Sequence, residues 1–275
     1  MASADAARDA QSAAVLEAAR WLAAHASERV RLGDVADHVS YSPFHLARCF
    51  ERQLGAPPGE FLAAHRFQRA KRLLLAGDDR TVDVCFAVGF QSLGTFTGRF
   101  GEAVGVTPSG FRRLPDRLAD APARPLVRPG PDRWGGAVRG RVALAPAAAG
   151  LLGPDPAVYV GVFPRRLPRG APVSGARLAG PGEFVLGGVP TGRYWVLACA
   201  LPGGGDPVDQ LLPPAAVVGA GPRPVDVLPV EVSTAPDVVL DLAPDWMTPV
   251  VVALPALALP GAQDPRSAAG LLSLP

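Results

Sequence analysis

The side chains that usually carry nucleophilic, acid–base or metal chemistry are few in this sequence and poorly spaced for it. All four histidines, His25, His38, His45 and His65, lie in the first 65 residues, so the rest of the chain has no imidazole base. Cys49, Cys85 and Cys199 are odd in number, widely separated and free of any CxxC pairing. That argues against a disulfide framework or a structural zinc site. Cys49 and Cys85 read as small buried hydrophobes, and Cys199, inside an apolar run, as a packed strand residue rather than a nucleophile. Asp206, Asp209, Glu231, Asp237 and Asp241 stand singly, without the paired-carboxylate spacing of acid–base catalysis. The GGG triplet at 203–205 is a flexible loop rather than a phosphate cradle, because no Gly-Lys-Ser/Thr follows it. Trp134, Trp195 and Trp246 could line a ligand pocket, although aromatics among strands more often belong to a core. The residues therefore call for no catalytic centre, no metal and no cofactor.

What remains is arginine. The whole chain carries only +2, but residues 29–113 hold 12 Lys+Arg against 8 Asp+Glu, a local excess of four. Lys71 is the only lysine in the sequence. A guanidinium donates two parallel hydrogen bonds to a phosphate or to the edge of a guanine. The same bias, beside heavy Ala, Gly and Pro use, also fits a GC-rich genome, so its weight depends on where the arginines sit.

The positions come from the elements. Residues 8–113 show helical periodicity with short turns and little proline. The stretch 114–136, LPDRLADAPARPLVRPGPDRWGG, reads as a Pro/Arg/Gly-rich linker. Short alternating runs then suggest strands, and residues 244–275 form a proline-punctuated, apolar tail without an assignment. The chain is therefore expected to be multidomain, an all-α domain followed by an all-β domain. No apolar run approaches the ~20 residues of a membrane span. The N-terminus also lacks the basic-then-apolar order of a signal peptide, so a cytoplasmic location is expected.

The helical half contains a duplication. VADHVSYSPFHLARCFERQLGAPPGEF precedes VCFAVGFQSLGTFTGRFGEAVGVTPSGF by about fifty residues. Ala36, Val39, Ser40 and Tyr41 match Cys85, Val88, Gly89 and Phe90; after the turn Ser42, Leu46, Phe50 and Leu54 match Ser92, Phe96, Phe100 and Val104. The register continues through Gly55/Gly105, Pro58/Pro108 and Phe61/Phe111. Each copy reads as helix, tight turn, helix. In the first, Leu32, Val35, Ala36 and Val39 face inward. Ser42 caps the second helix, Pro43 takes its first position, and Gly55 ends it. In the second, Thr81 caps the first helix and Ser92 the second, with Gly89 at the turn. Between the copies, residues 59–76 read as one amphipathic helix. It should bury Phe61, Leu62, Ala70, Leu73 and Leu74, and leave Arg66, Arg69, Lys71 and Arg72 solvated or on phosphate.

A recognition helix fits the DNA major groove and presents its exposed N-terminal side chains to base edges. Two such helices joined by a rigid one can reach groove faces about one turn, ~34 Å, apart. The pattern A-V-G-F-x-S, then F-x-x-x-F, then G-V-T-P-S-G-F-R over residues 87–112 is highly similar to the signature of the AraC/XylS family. The first copy and HRFQRAKRLLL (65–75) match it too. The resemblance covers residues 8–113 and implies a double helix-turn-helix, homeodomain-like domain that controls transcription by sequence-specific binding of double-stranded DNA. RNA polymerase and a small-molecule effector are its candidate partners, and no membrane is.

Carried onto this sequence, the DNA-contacting residues are Ser42, Pro43, Phe44, His45, Arg48 and Arg52 in the first unit. In the second they are Gln91, Ser92, Leu93, Thr95, Thr97 and Arg99. Arg48 is the best base reader, since the family often has arginine there. The equivalent arginine of the second unit falls at Gly98, and Gly94 and Gly101 also lie on that helix. Phosphate and backbone contact should therefore dominate its binding.

In the second half, VRGRV and GEFVLGGVPTGRYWVLA resemble the prealbumin-like β-sandwich of carboxypeptidase regulatory-like and transthyretin-like domains over residues 137–243. That fold fixes no activity. It fits a domain that senses an effector or contacts proteins. Two alternatives are an architectural DNA binder with weak sequence preference, and a ligand-binding or enzymatic β domain with a DNA-binding appendage.

Overall fold

The computed structural model describes residues 2–120, 126–203, 206–213, 215–244 and 246–258. Residues 121–125 of the expected linker, part of the GGG loop, and 259–275 of the tail lie outside the described residues. The described chain divides into two compact units. One runs to Thr97 and includes Pro244–Val251; the other comprises Gly98–Ala243 and the residues from Val252.

Eight helices open the described chain: α1 (Ala2–Ala24), α2 (Leu32–His38), α3 (Pro43–Leu54), α4 (Pro58–Ala76), α5 (Thr81–Ala87), α6 (Leu93–Val104), α7 (Pro108–Arg112) and α8 (Leu114–Ala119). The caps follow local chemistry. Ser42 Oγ accepts from the His45 N–H, Pro43 sits in the first turn of α3, and Gly55 ends it at φ 76°. Ser92 Oγ likewise accepts from the Thr95 N–H at the start of α6, at 3.4 Å. The tight turns that precede α3 and α6 each hold a residue at positive φ, Ser40 at 57° and Gly89 at 88°.

The first unit closes around Val15, Ala18, Leu22, Val35, Ala36, Leu46, Phe50 and Phe61, with Trp246 of the tail packed against them. Phe50 meets the Phe61 ring edge-on at 5.3 Å. Truncating such a fully buried ring to alanine costs about 3–5 kcal/mol. Phe67, Phe90 and Phe96 form a further aromatic cluster, with centroids 5.3–6.5 Å apart.

Several expectations need correction. Leu32 is exposed: it shares the face of Val35 and Ala36 but is the first residue of α2. Arg80, not Thr81, occupies the cap position of α5, and Thr81 is its first helical residue. Lys71 is buried at 2 % exposure, since it falls on the same helical stripe as Phe67, Ala70 and Leu74. Leu73 is only half-buried.

Part of the stretch expected to be a linker is regular, as α8 and as strand β1 (Leu126–Arg128). Then come β2 (Gly136–Leu144), α9 (Pro146–Leu152), β3 (Ala157–Phe163), β4 (Ser174–Leu178), β5 (Gly182–Val189) and β6 (Gly192–Leu201). The chain continues through α10 (Pro207–Leu211), β7 (Val217–Ala220), β8 (Val225–Val227), β9 (Val232–Thr234), β10 (Val238–Leu242) and a 3-10 turn at Leu254–Ala258. The second half is strand-rich, as expected. The described strands make one curled mixed sheet in the order β1-β4-β3-β6-β7-β10-β2-β5, with β8 on β6 and β9 on β2. The β10–β2 and β9–β2 pairings are parallel, and α9 and α10 interrupt the strands.

β3 is buried along its whole length. Val158, Val160 and Val162 face the main core with Val138, Leu186, Val196 and Leu240. Ala157 and Tyr159 face a second cluster with Cys199 and Leu201, against which Leu254 packs. Ser174, also buried, lies within hydrogen-bond distance of the Arg128 and Gly187 carbonyls, at 3.1 and 2.9 Å. Its single hydroxyl proton serves one carbonyl at a time and draws the edges of the curl together.

Candidate nucleic-acid interface

α3 buries Leu46, Cys49 and Phe50 and turns Phe44, Arg48 and Glu51 outward, all exposed. The three recur at 3.6-residue spacing opposite the core stripe. Phe44 is 85 % exposed, which leaves most of a large apolar ring in solvent. Arg48 has no hydrogen-bond or ion-pair partner among the described residues. Ser42 and Pro43 are exposed at the start of the helix. The outward face thus offers, in one turn, a flat apolar ring and a guanidinium.

His45 and Arg52 do not join that face; they turn toward α1. The Gln11 amide nitrogen is 3.1 Å from His45 Nε2, and Arg52 donates to the Gln11 amide oxygen at 2.9 Å. The Cys49 thiol lies 3.5 Å from His45 Nε2 and 3.5 Å from Arg52 Nη2. Tyr41 stacks on His45 at 5.0 Å, and Gln53 donates to Ser12 Oγ at 2.8 Å. Gln11 and Ser12 were not singled out from the sequence, although two adjacent polar residues in an alanine-rich helix are the available signal. Together these contacts fix how α3 is presented.

α6 repeats the arrangement with the outward face removed. In the matched register Phe44, Arg48 and Glu51 correspond to Gly94, Gly98 and Gly101. A methyl group added at Gly98 or Gly101 would meet nothing within 4 Å, and one at Gly94 only Ser92 Oγ at 3.9 Å. Gln91, Ser92, Leu93, Thr95 and Arg99 are exposed around this bare strip, while Thr97 is half-buried.

On α4, Arg69 and Arg72 are exposed, as expected. Arg66 is not available to phosphate. Its Nε donates to the Ala26 carbonyl at 2.7 Å and Nη2 to the Glu28 carbonyl at 2.8 Å, and the guanidinium lies over the Phe90 ring at 5.6 Å. Gly89 permits this approach, because a Cβ there would stand 2.9 Å from the Ser27 carbonyl oxygen and 3.1 Å from Arg66 Nη2. His65 is held neutral: burial, assisted by the Arg72 charge, lowers its pKa from 6.5 to about 4.

The other candidate groups stay apart. Cys49, Cys85 and Cys199 are buried free thiols, and burial pushes the Cys85 thiol up. No cluster of three or more His, Cys, Asp or Glu suited to a metal occurs among the described residues. Trp134 is exposed rather than in a core. Among the described residues no helix is long and apolar enough to cross a membrane.

A family model described as a helix-turn-helix domain matches residues 35–114. The HTH-type transcriptional activator AarP of Providencia stuartii is 30% identical over 102 residues, covering 37% of this chain and 76% of that protein. The melibiose operon regulatory protein of Escherichia coli is 27% identical over 94 residues, 34% of this chain and 31% of that protein. The chain likewise spans 38% of YobQ, an uncharacterized HTH-type transcriptional regulator of Bacillus subtilis. Among solved structures, the DNA-binding domain of AdpA, a global transcriptional factor in complex with a target DNA, shares 25% identity. That match covers 39% of this chain and 97% of that one, at TM-score 0.36.

Proposed function

We propose, given that this chain belongs to the AraC family of helix-turn-helix transcriptional regulators, that it controls transcription by sequence-specific binding read mainly through α3. The observation that carries this reading is the outward pair on α3, an exposed Arg48 without a hydrogen-bond or ion-pair partner among the described residues beside an exposed Phe44. Arginine pairs bidentately with guanine, and an apolar ring suits a thymine methyl group. Ser42 and Pro43 flank them. His45 and Arg52 act by bracing α3 against α1 rather than by touching bases.

α6 enters the adjacent groove face as a backbone surface. Leu93, Thr95, Thr97 and Arg99 border it, with Gln91 and Ser92 at its start, and phosphate contact outweighs base reading there. The curled sheet is the candidate for effector sensing or contact with RNA polymerase.

The test is selection of the full chain on a random duplex library, followed by affinities for single-base variants of the enriched site. Arg48→Ala should cost about 1–3 kcal/mol and relax preference at one base position, whereas Arg69→Ala or Arg72→Ala should weaken all variants alike. An equal loss across every base variant for Arg48→Ala would refute its assignment. Salt-sensitive retention of all DNA without enrichment favours an architectural binder.

A further inference from the structure

The loop between β3 and β4, FPRRLPRG over residues 163–170, carries Arg165, Arg166 and Arg169 and no acidic residue. All three arginines are exposed. The loop is not loose. The Gly170 N–H donates to the Ala103 carbonyl at 3.2 Å, and Arg169 Nη2 pairs with the Glu102 carboxylate at 2.6 Å. Arg166 lies over the Trp195 ring at 5.5 Å.

Both helix residues belong to the last turn of α6. An α-helix leaves its final carbonyls without internal partners. Here Gly170 serves Ala103, and the Ala253 N–H serves Val104 at 2.9 Å. The loop can come this close only because residue 170 is glycine: its φ is +65°, and a Cβ would stand 2.7 Å from the Glu102 carbonyl oxygen.

We infer that this arginine loop is a further part of the DNA interface, gripping the phosphate backbone at the C-terminal end of the second recognition helix. The inference rests on the DNA-binding reading of α6. A helix whose outward strip is Gly94, Gly98 and Gly101 has no cationic side chain on that strip, and the only acid in its second half is Glu102. Arg169 offsets Glu102, which would otherwise repel phosphate. Arg165 and Arg166 then supply the positive charge that the strip lacks. A loop of the sheet thereby takes part in DNA binding.

Phosphate contact is sequence-independent and salt-dependent, so the test uses a fluorescent random-sequence duplex pool and the full chain with Arg165→Gln and Arg166→Gln. Affinity is measured across salt, and far-UV circular dichroism checks the fold. Each phosphate contact adds about 0.9 to the salt slope. With two contacts removed, the loss of affinity between roughly 50 and 200 mM salt should be about tenfold smaller than for the unaltered chain. The single Arg165→Gln change should give about half that change in slope. An unchanged slope, or tighter binding by the variant because the loop obstructs the duplex, overturns the inference while leaving the reading of α3 intact. If the unaltered chain does not hold duplex at all, the DNA reading fails and the inference falls with it.

Discussion

Gly98 and Gly101 occupy helical positions of α6 where an added methyl group meets no atom within 4 Å. Replacing both with alanine removes backbone freedom from the unfolded chain without creating a clash, and each change should contribute about 0.8–1 kcal/mol. The pair should therefore stabilise α6 by about 1.5–2 kcal/mol. That slows amide exchange through local opening of the helix by roughly 10- to 30-fold, at 1.4 kcal/mol per decade. The assay is native-state hydrogen exchange on the amides of residues 100–105, with a urea melt as the global counterpart. Gly89→Ala provides the opposite sign. At φ +88°, with its Cβ 2.9 Å from the Ser27 carbonyl oxygen, it should destabilise the chain by about 2 kcal/mol or more. Exchange that is unchanged or faster in the Gly98→Ala, Gly101→Ala chain would mean that the strip is not open, and the bare-surface account of α6 would be wrong.

Two further outcomes follow from α4. Arg66→Met should cost about 2–3 kcal/mol, because two charge-assisted hydrogen bonds to the Ala26 and Glu28 carbonyls vanish. A urea midpoint equal to that of the unaltered chain would show the bonds to be dispensable. His65 takes up its proton near 6.5 when unfolded but only near pH 4 when folded, so the unfolded state binds more protons across that window. Its contribution to stability is fully present above pH 6.5 and is lost as pH falls toward 4, by up to about 3 kcal/mol. His65→Leu should flatten that part of the stability profile, and an identical slope in both proteins would remove His65 as the cause.

The helical half was legible because its duplication repeats both residue types and spacing. Ser42 with Pro43, and Ser92 eight residues before Phe100, announce helices whose buried stripes are where the periodicity puts them. Lys71 escaped because residue type was given more weight than position; its place on the Phe67–Leu74 stripe was visible in the spacing. The contacts of His45 and Arg52 with Gln11 could not be foreseen, because Gln11 lies more than thirty positions away. In the second half the apolar runs AVYVGVF and GEFVLGGV are legible as strands, and they form β3 and β5. β4, SGARL, and β7, VVGA, carry little strand signal because small residues make up half or more of each. The strand order of the curled sheet depends on pairing between distant strands, which no local pattern encodes. The glycine strip is visible in the duplicated register, but the loop that reaches α6 through Gly170 leaves no trace in spacing.

The parallel partnership of β2 and β10, which aligns Val142 with Val238, has a consequence for synthesis. β10 leaves the ribosome almost a hundred residues after β2, a delay of roughly 5–20 s at ordinary translation rates of about 5–20 residues per second. The helical residues have local contacts to form in that interval, but one side of β2 has none. An unpaired strand edge recruits the same edge of a neighbouring chain. Arg139 and Arg141 alternate along β2 with Val138, Gly140 and Val142, and like charges on two nascent chains resist that pairing. On an edge left open for that long, charge of one sign is a general safeguard against strand-to-strand adhesion, and Arg139 is afterwards bound to Thr234 Oγ1 in the closed sheet.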